Sequence, residues 1–106
     1  MTVIEFFDSL DNLDNTVYDI EVPNRFEKQV NLLFKRGLIL EELLYVIHIL
    51  AKDEKLEVKH KIHVLKGYKE KVWECYIKLD RLLMWKYSGD NLVLMLLETG
   101  THADLF

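Results

Sequence analysis

The chain ends on Gly100-Thr-His-Ala-Asp-Leu-Phe106, and this ending carries the clearest chemical potential in the sequence. Chain ends usually fray into polar residues. This one closes on an imidazole, a carboxylate and two large apolar groups, directly after the apolar run Leu92-Val-Leu-Met-Leu-Leu97. A packed strand there would deliver His102 to a fixed place. A histidine held in that way can serve as a general acid or base, because imidazole titrates near neutral pH. His60 and His63 lie upstream in a lysine-rich stretch, and Asp80 sits in the turn-like segment Lys78-Leu-Asp-Arg81.

Each of these residues also has a purely structural reading. His63 before a strand can simply be solvated, and Asp80 can be a turn former. Tyr76 and Glu74 read as a polar pair on one strand face. Phe106 can plug the edge of the core. His48 lies between core positions of a helix and reads as structural, and His60 has no motif around it. His60, His63, His102 and Cys75 show no zinc-type spacing, so no metal is expected. Cys75 shares its strand face with Trp73 and Ile77, which makes it an inert core thiol rather than a nucleophile.

The elements that must position these groups follow from patterning. Tyr18 to Val22 reads as a short strand closed by Pro23. Asn24 and Glu27 form a capping-box pattern for a helix carrying Phe26, Val30 and Leu33, with Lys35-Arg36-Gly37 as its stop signal. A second helix, about Leu38 to Ala51, bears the stripe Leu40, Leu43, Leu44, Ile47 and Leu50. One glycine between two helices makes a hairpin. Lys52 to Lys61 reads as a loop. Val72 to Ile77, Leu82 to Tyr87 and Leu92 to Leu97 read as strands. Ser88-Gly-Asp-Asn91 is the turn between the last two. The expected fold is α+β: an N-terminal strand and helix hairpin packed on three or four antiparallel strands.

Size and charge bound the remaining possibilities. The chain has 106 residues, half of them apolar, enough for one compact domain. No apolar run reaches the roughly 20 residues of a membrane span. The single cysteine allows no internal disulfide and suits a reducing compartment, and no secretory signal is visible, so a cytoplasmic protein is expected. The net charge of −4 conceals an asymmetry. Six acids and no base occupy residues 1 to 21, whereas residues 22 to 106 carry a net +2. Lys52 to Lys86 holds ten bases against six acids. That surplus could face a polyanion such as RNA, or be an ordinary solvated surface. Residues 1 to 16 form an acidic extension in which Val3, Phe6, Phe7, Leu10 and Leu13 recur near helical spacing.

Four segments, His63-Val-Leu-Lys-Gly67, Trp73-Glu-Cys-Tyr-Ile-Lys-Leu-Asp80, Leu82-Leu-Met-Trp85 and the Gly100 to Phe106 ending, resemble the YafQ branch of the RelE-type toxins. The resemblance runs from about Tyr18 to the C-terminus, so residues 17 to 106 are expected to form the toxin domain in a RelE-like fold. It implies a ribosome-dependent endoribonuclease, an mRNA interferase, that needs no cofactor or metal. It also implies a cognate antitoxin, through which alone the toxin would reach operator DNA. By resemblance the catalytic set is His63, Tyr76, Asp80 and His102. Phe106 is a substrate-holding residue, and Lys66, Lys69, Lys71 and Lys78 are candidate phosphate contacts.

The sequence departs from the pattern at informative points. Tyr76 stands where the family usually has a histidine, and tyrosine ordinarily titrates near pH ~10, too high for a base at neutral pH. Trp73 replaces a common arginine and Leu79 a common proline. Arg81 replaces an aromatic or aliphatic residue and could bind phosphate instead. Two alternatives therefore stand beside the nuclease: an inactive homologue that only binds its antitoxin and co-represses, or a ParE-like gyrase poison. The acidic head would dock on the domain in cis, or on a neighbouring copy, as an antitoxin helix does.

Overall fold

The computed structural model describes residues 1–90 and 92–106, so of the expected Ser88 to Asn91 turn only Asn91 lies outside the described residues. The elements are α1 (Val3–Asp11), β1 (Asp19–Glu21), α2 (Asn24–Lys35), α3 (Leu40–Ala51), β2 (His63–Val64), β3 (Trp73–Lys78), β4 (Arg81–Ser88), β5 (Val93–Thr101) and α4 (His102–Leu105). A 3₁₀ turn, Val58–His60, interrupts the segment expected to be irregular. Among the described residues, no helix is long and apolar enough to cross a membrane.

The strands form one sheet in the order β1-β5-β4-β3-β2, with β1 parallel to β5 and the other pairs antiparallel. The long antiparallel trio is the expected one. β1 and the two-residue β2 extend it on both sides to five strands. Cys75, Ile77, Leu83, Trp85, Leu94 and Leu96 share one buried cluster with Phe26, Val30, Leu40, Leu43 and Ile47 of the helix hairpin. The period-2 and period-3.6 patterns meet there, which is why the hairpin covers that sheet face.

Helix α2 begins differently from expectation. Asn24 is its first residue rather than its cap, because the Pro23 carbonyl already accepts from the Glu27 N–H at 3.2 Å. No side chain caps this end. The other end follows the sequence. Gly37 has φ +80, Leu38 N–H donates to the Leu33 carbonyl and Gly37 N–H to that of Phe34. Glycine is favoured at this left-handed position because it has no Cβ to clash.

The acidic head is helical and packed. Thr2 and Glu5 form a capping box, and Phe6 and Leu10 are buried in the same cluster as the hairpin residues. His48 Nε2 contacts the Asp14 carbonyl at 3.1 Å, tying the segment after α1 to α3. The head's acids Glu5, Asp8, Asp11 and Asp14 remain outside the core.

Candidate active site

The sheet face opposite the helix hairpin brings the sequence-flagged residues together. Register sets two cross-strand rows. His63, Glu74, Met84 and Glu98 lie side by side across β2, β3, β4 and β5. Tyr76, Leu82 and Gly100 form the next row. Leu82 and Met84 are buried and form an apolar floor between the polar groups.

His102 follows β5 at once, as the first residue of α4. Its Nδ1 lies 2.5 Å from Asp80 Oδ1, in the β3–β4 turn. A carboxylate can only accept here, so Nδ1 carries the proton and Nε2 is left to act on a substrate. The Tyr76 ring lies 5.8 Å from the His102 ring, and the Phe106 ring 6.0 Å from it. Phe106 is mostly exposed, so it stands beside the histidine and does not plug the core.

The short tail is held by a dense set of bonds. Thr101 and Asp104 form a capping box around α4. Arg36, just past α2, donates through Nη1 to Asp104 Oδ1 at 3.0 Å and Oδ2 at 2.8 Å. The Arg36 guanidinium, with help from Thr101, pulls the Asp104 carboxyl down to about 2. Gly100 is required by contact: a Cβ there would lie 3.0 Å from both Cβ and Oδ2 of Asp104.

His63 is bound at both nitrogens. Nδ1 lies 2.7 Å from the Lys61 carbonyl and Nε2 3.1 Å from Glu74 Oε1. A carbonyl cannot donate, so Nδ1–H must. The second contact also needs a proton, shared between His63 and Glu74. Glu74 is only 4 % exposed, and its Oε2 has no hydrogen-bond partner among the described residues. The expectation that Glu74 is a surface residue therefore fails. The alternating pattern was right, but this second face is itself covered. Sequence reasoning missed the residue for want of any signal that the face is closed.

His60, without motif support in the sequence, is buried and its Nδ1 sits 2.6 Å from the Tyr76 carbonyl. It pins the β3 backbone at the position of the site tyrosine. Lys61, with its backbone in the left-handed region at φ +48, places Nζ 6.0 Å from the centre of the Tyr76 ring. Neither role was visible in the sequence.

The basic residues separate into three groups. Lys66, Lys69 and Lys71 lie on the β2–β3 loop, and Lys71 Nζ stands 5.0 Å over the Trp73 ring. Lys78 lies at the opposite end of β3. Arg81 does not join the cluster. Its Nη2 pairs with Glu42 at 2.9 Å and its Nη1 donates to the Ile39 carbonyl at 3.0 Å, which leaves the side chain 12 % exposed. Committed to α3 in this way, Arg81 has little freedom to meet a phosphate. Cys75 is fully buried, and burial pushes its thiol up to about 12, as an inert core residue requires. No cluster of three or more metal-ligating side chains is present among the described residues.

The family model described as the bacterial toxin of type II toxin–antitoxin systems, YafQ, matches residues 18–106. No curated protein matches the chain. A metal-bound toxin from Helicobacter pylori is 36% identical over 82% of this chain and 97% of its own, with a TM-score of 0.78. The toxin in the E. coli DinJ–YafQ toxin–antitoxin complex is 30% identical over 85% of this chain and 98% of its own, with a TM-score of 0.76. YafQ from E. coli strain BL21(DE3) is 29% identical over 84% and 98%, also at 0.76.

Proposed function

We infer the chemistry from one premise: the chain belongs to the YafQ family of bacterial toxins of type II toxin–antitoxin systems, whose members are mRNA interferases. Its partner is an antitoxin, as in the DinJ–YafQ complex. We propose that it cuts mRNA on the translating ribosome without a metal, and that it meets operator DNA only when bound to its antitoxin.

RNA carries its own nucleophile. The 2′-hydroxyl oxygen attacks the adjacent phosphorus, the bond from phosphorus to the 5′-oxygen breaks, and a 2′,3′-cyclic phosphate and a 5′-hydroxyl remain. One proton must leave the 2′-oxygen and one must reach the 5′-oxygen. His102 takes the first through Nε2, while Asp80 holds its other nitrogen and stabilises the imidazolium that forms. Tyr76 gives the second. A phenol is a poor base at neutral pH but a far stronger acid than the departing alcohol, so it suits this step. His63, with both nitrogens engaged, does not move protons in this arrangement. Held by the Lys61 carbonyl and by the proton it shares with Glu74, it is a fixed ring beside the path of the phosphate. Phe106 offers a face for a base to stack on.

The observation that carries this reading is the 2.5 Å contact between Asp80 and His102, with Tyr76 and Phe106 flanking the ring. The test is to add the chain to translating ribosomes in their ordinary magnesium buffer, and to identify the chemistry of the new RNA ends. Cyclic phosphate and 5′-hydroxyl ends in translated messages are expected. 5′-Phosphate ends, or cleavage only of free RNA, would contradict it.

A further inference from the structure

We propose that a second RNA subsite, for the backbone phosphates of the nucleotide beside the cleaved bond, lies in the trough formed by Lys59, Lys61 and Lys78 next to Tyr76. The inference rests on the nuclease reading above and extends its substrate path from Lys78 to Lys59 and Lys61, which the sequence did not mark.

A cavity of about 540 Å³ opens beside Tyr76, with Lys59, Lys61, Lys78, Glu42, Ile77 and Leu79 around it. A second, of about 380 Å³, shares Glu42, Lys78 and Leu79 and continues to Asp80 and Thr101. Together they run as one trough around the β3–β4 turn, past both Tyr76 and the Asp80–His102 pair. Lys66, Lys69 and Lys71 lie at the other end of β3, so cations flank the catalytic cluster on both sides.

The charge balance inside the trough favours an anion. Glu42 is its one carboxylate among the lining residues of the larger cavity, and Arg81 neutralises it at 2.9 Å. Lys78 Nζ is 3.9 Å from the same carboxylate, and Lys59 is 3.9 Å from the exposed Glu57. Both contacts are long, and exposed pairs of this kind hold a lysine weakly. Lys61 Nζ faces the Tyr76 ring, and among the described residues no carboxylate pairs with it. Three cations converge on a concave surface beside the reacting groups, and Arg81 removes the acid that would otherwise occupy them. Arg81, rejected above as a phosphate ligand, thus acts indirectly.

The turn itself is unusual. Leu79 takes φ +51 and is 87 % exposed, standing between the two cavities. A bulky residue in the left-handed region is strained, and such strain concentrates at functional sites. Here it presents an exposed apolar side chain where the two cavities meet, and the base of the same nucleotide can rest against it.

The experiment is a salt titration of RNA binding. The probe is a fluorescein-labelled, 2′-O-methylated single strand of about 12 nucleotides, within the span one binding module covers and unable to be cut. Wild type is compared with K59Q/K61Q/K78Q and with K28Q/K35Q/K55Q, which removes three charges outside the trough. Each phosphate contact contributes about −0.7 to the slope of log K against log salt. The trough variant is expected to lose about 2 from that slope and to bind at least tenfold more weakly at 0.1 M salt. The comparator keeps the wild-type slope, and K59R/K61R/K78R restores it. Equal losses in the trough variant and the comparator would overturn the subsite and leave the nuclease reading standing. A wild type that neither binds this strand nor cuts translated mRNA would overturn both.

Discussion

Asp80 and His102 lie 22 residues apart in the chain and 2.5 Å apart in the fold. The β3–β4 turn supplies one and the end of β5 the other, so the pair exists only once the sheet has formed. A carboxylate on Nδ1 fixes the tautomer that leaves Nε2 free. Asp80→Asn keeps the shape but no longer favours the imidazolium. We expect cleavage to fall by about 10²-fold or more, with antitoxin binding and melting temperature unchanged. Single-turnover cleavage on programmed ribosomes checks this, and an unchanged rate would remove Asp80 from the mechanism.

Tyr76 is the main departure from the family pattern, and its assignment as proton donor separates two substitutions. Tyr76→Phe removes the proton and should lower the cleavage rate about 10²-fold. Tyr76→His restores a group that can also donate, and should retain activity. If Phe is as fast as wild type, the hydroxyl takes no part and the ring serves only to pack.

Glu74 links stability and activity in opposite senses. Its carboxylate is 4 % exposed and has one oxygen without a partner, an arrangement that costs folding free energy. Glu74→Gln can still bond to His63 while leaving the imidazole neutral. The melting temperature should hold or rise, and cleavage should fall by about tenfold as His63 loses the shared proton that orients its ring. A lower melting temperature with full activity would make Glu74 a purely structural residue.

The bond from Arg36 to Asp104 holds the tail that carries His102 and Phe106. Arg36→Ala and Gly100→Ala should both slow cleavage and raise amide exchange in residues 101–106. The folded Asp104 carboxyl lies at about 2, below its ordinary value of 3.8. A lowered carboxyl stabilises the fold fully above the ordinary value and loses that effect as pH falls through the folded one. The tail should therefore stay ordered down to about pH 4 and loosen between pH 4 and 2. Exchange rates at His102 and Phe106 across that range test it, and loosening at pH 6 would point to another latch.

Much of this was legible in the sequence. The hairpin stop at Gly37 and the alternation that buries Cys75 and Ile77 follow from residue type and spacing, and the Gly100 to Phe106 ending stood out by its resemblance to the family. The bond from Asp80 to His102 was open beforehand, since a turn aspartate usually serves the turn. What stayed hidden depends on distant partners. Arg81 looked like a free cation until Glu42 and the Ile39 carbonyl claimed it. Glu74 looked solvated because one strand cannot reveal that its outer face is covered. His60 and Lys61 acquire meaning only from a 3₁₀ turn and a left-handed residue in a segment that reads as featureless charge. The acidic head was legible as an amphipathic helix, but only the fold seats Phe6 in the core.

The most direct test of the central claim is to induce wild type and His102→Ala in a bacterial host, then map mRNA 5′ ends alongside growth. Wild type should arrest growth and leave in-frame cuts within translated messages, and His102→Ala should do neither while still binding the antitoxin. Cuts of equal frequency in both strains would contradict a mechanism built on His102.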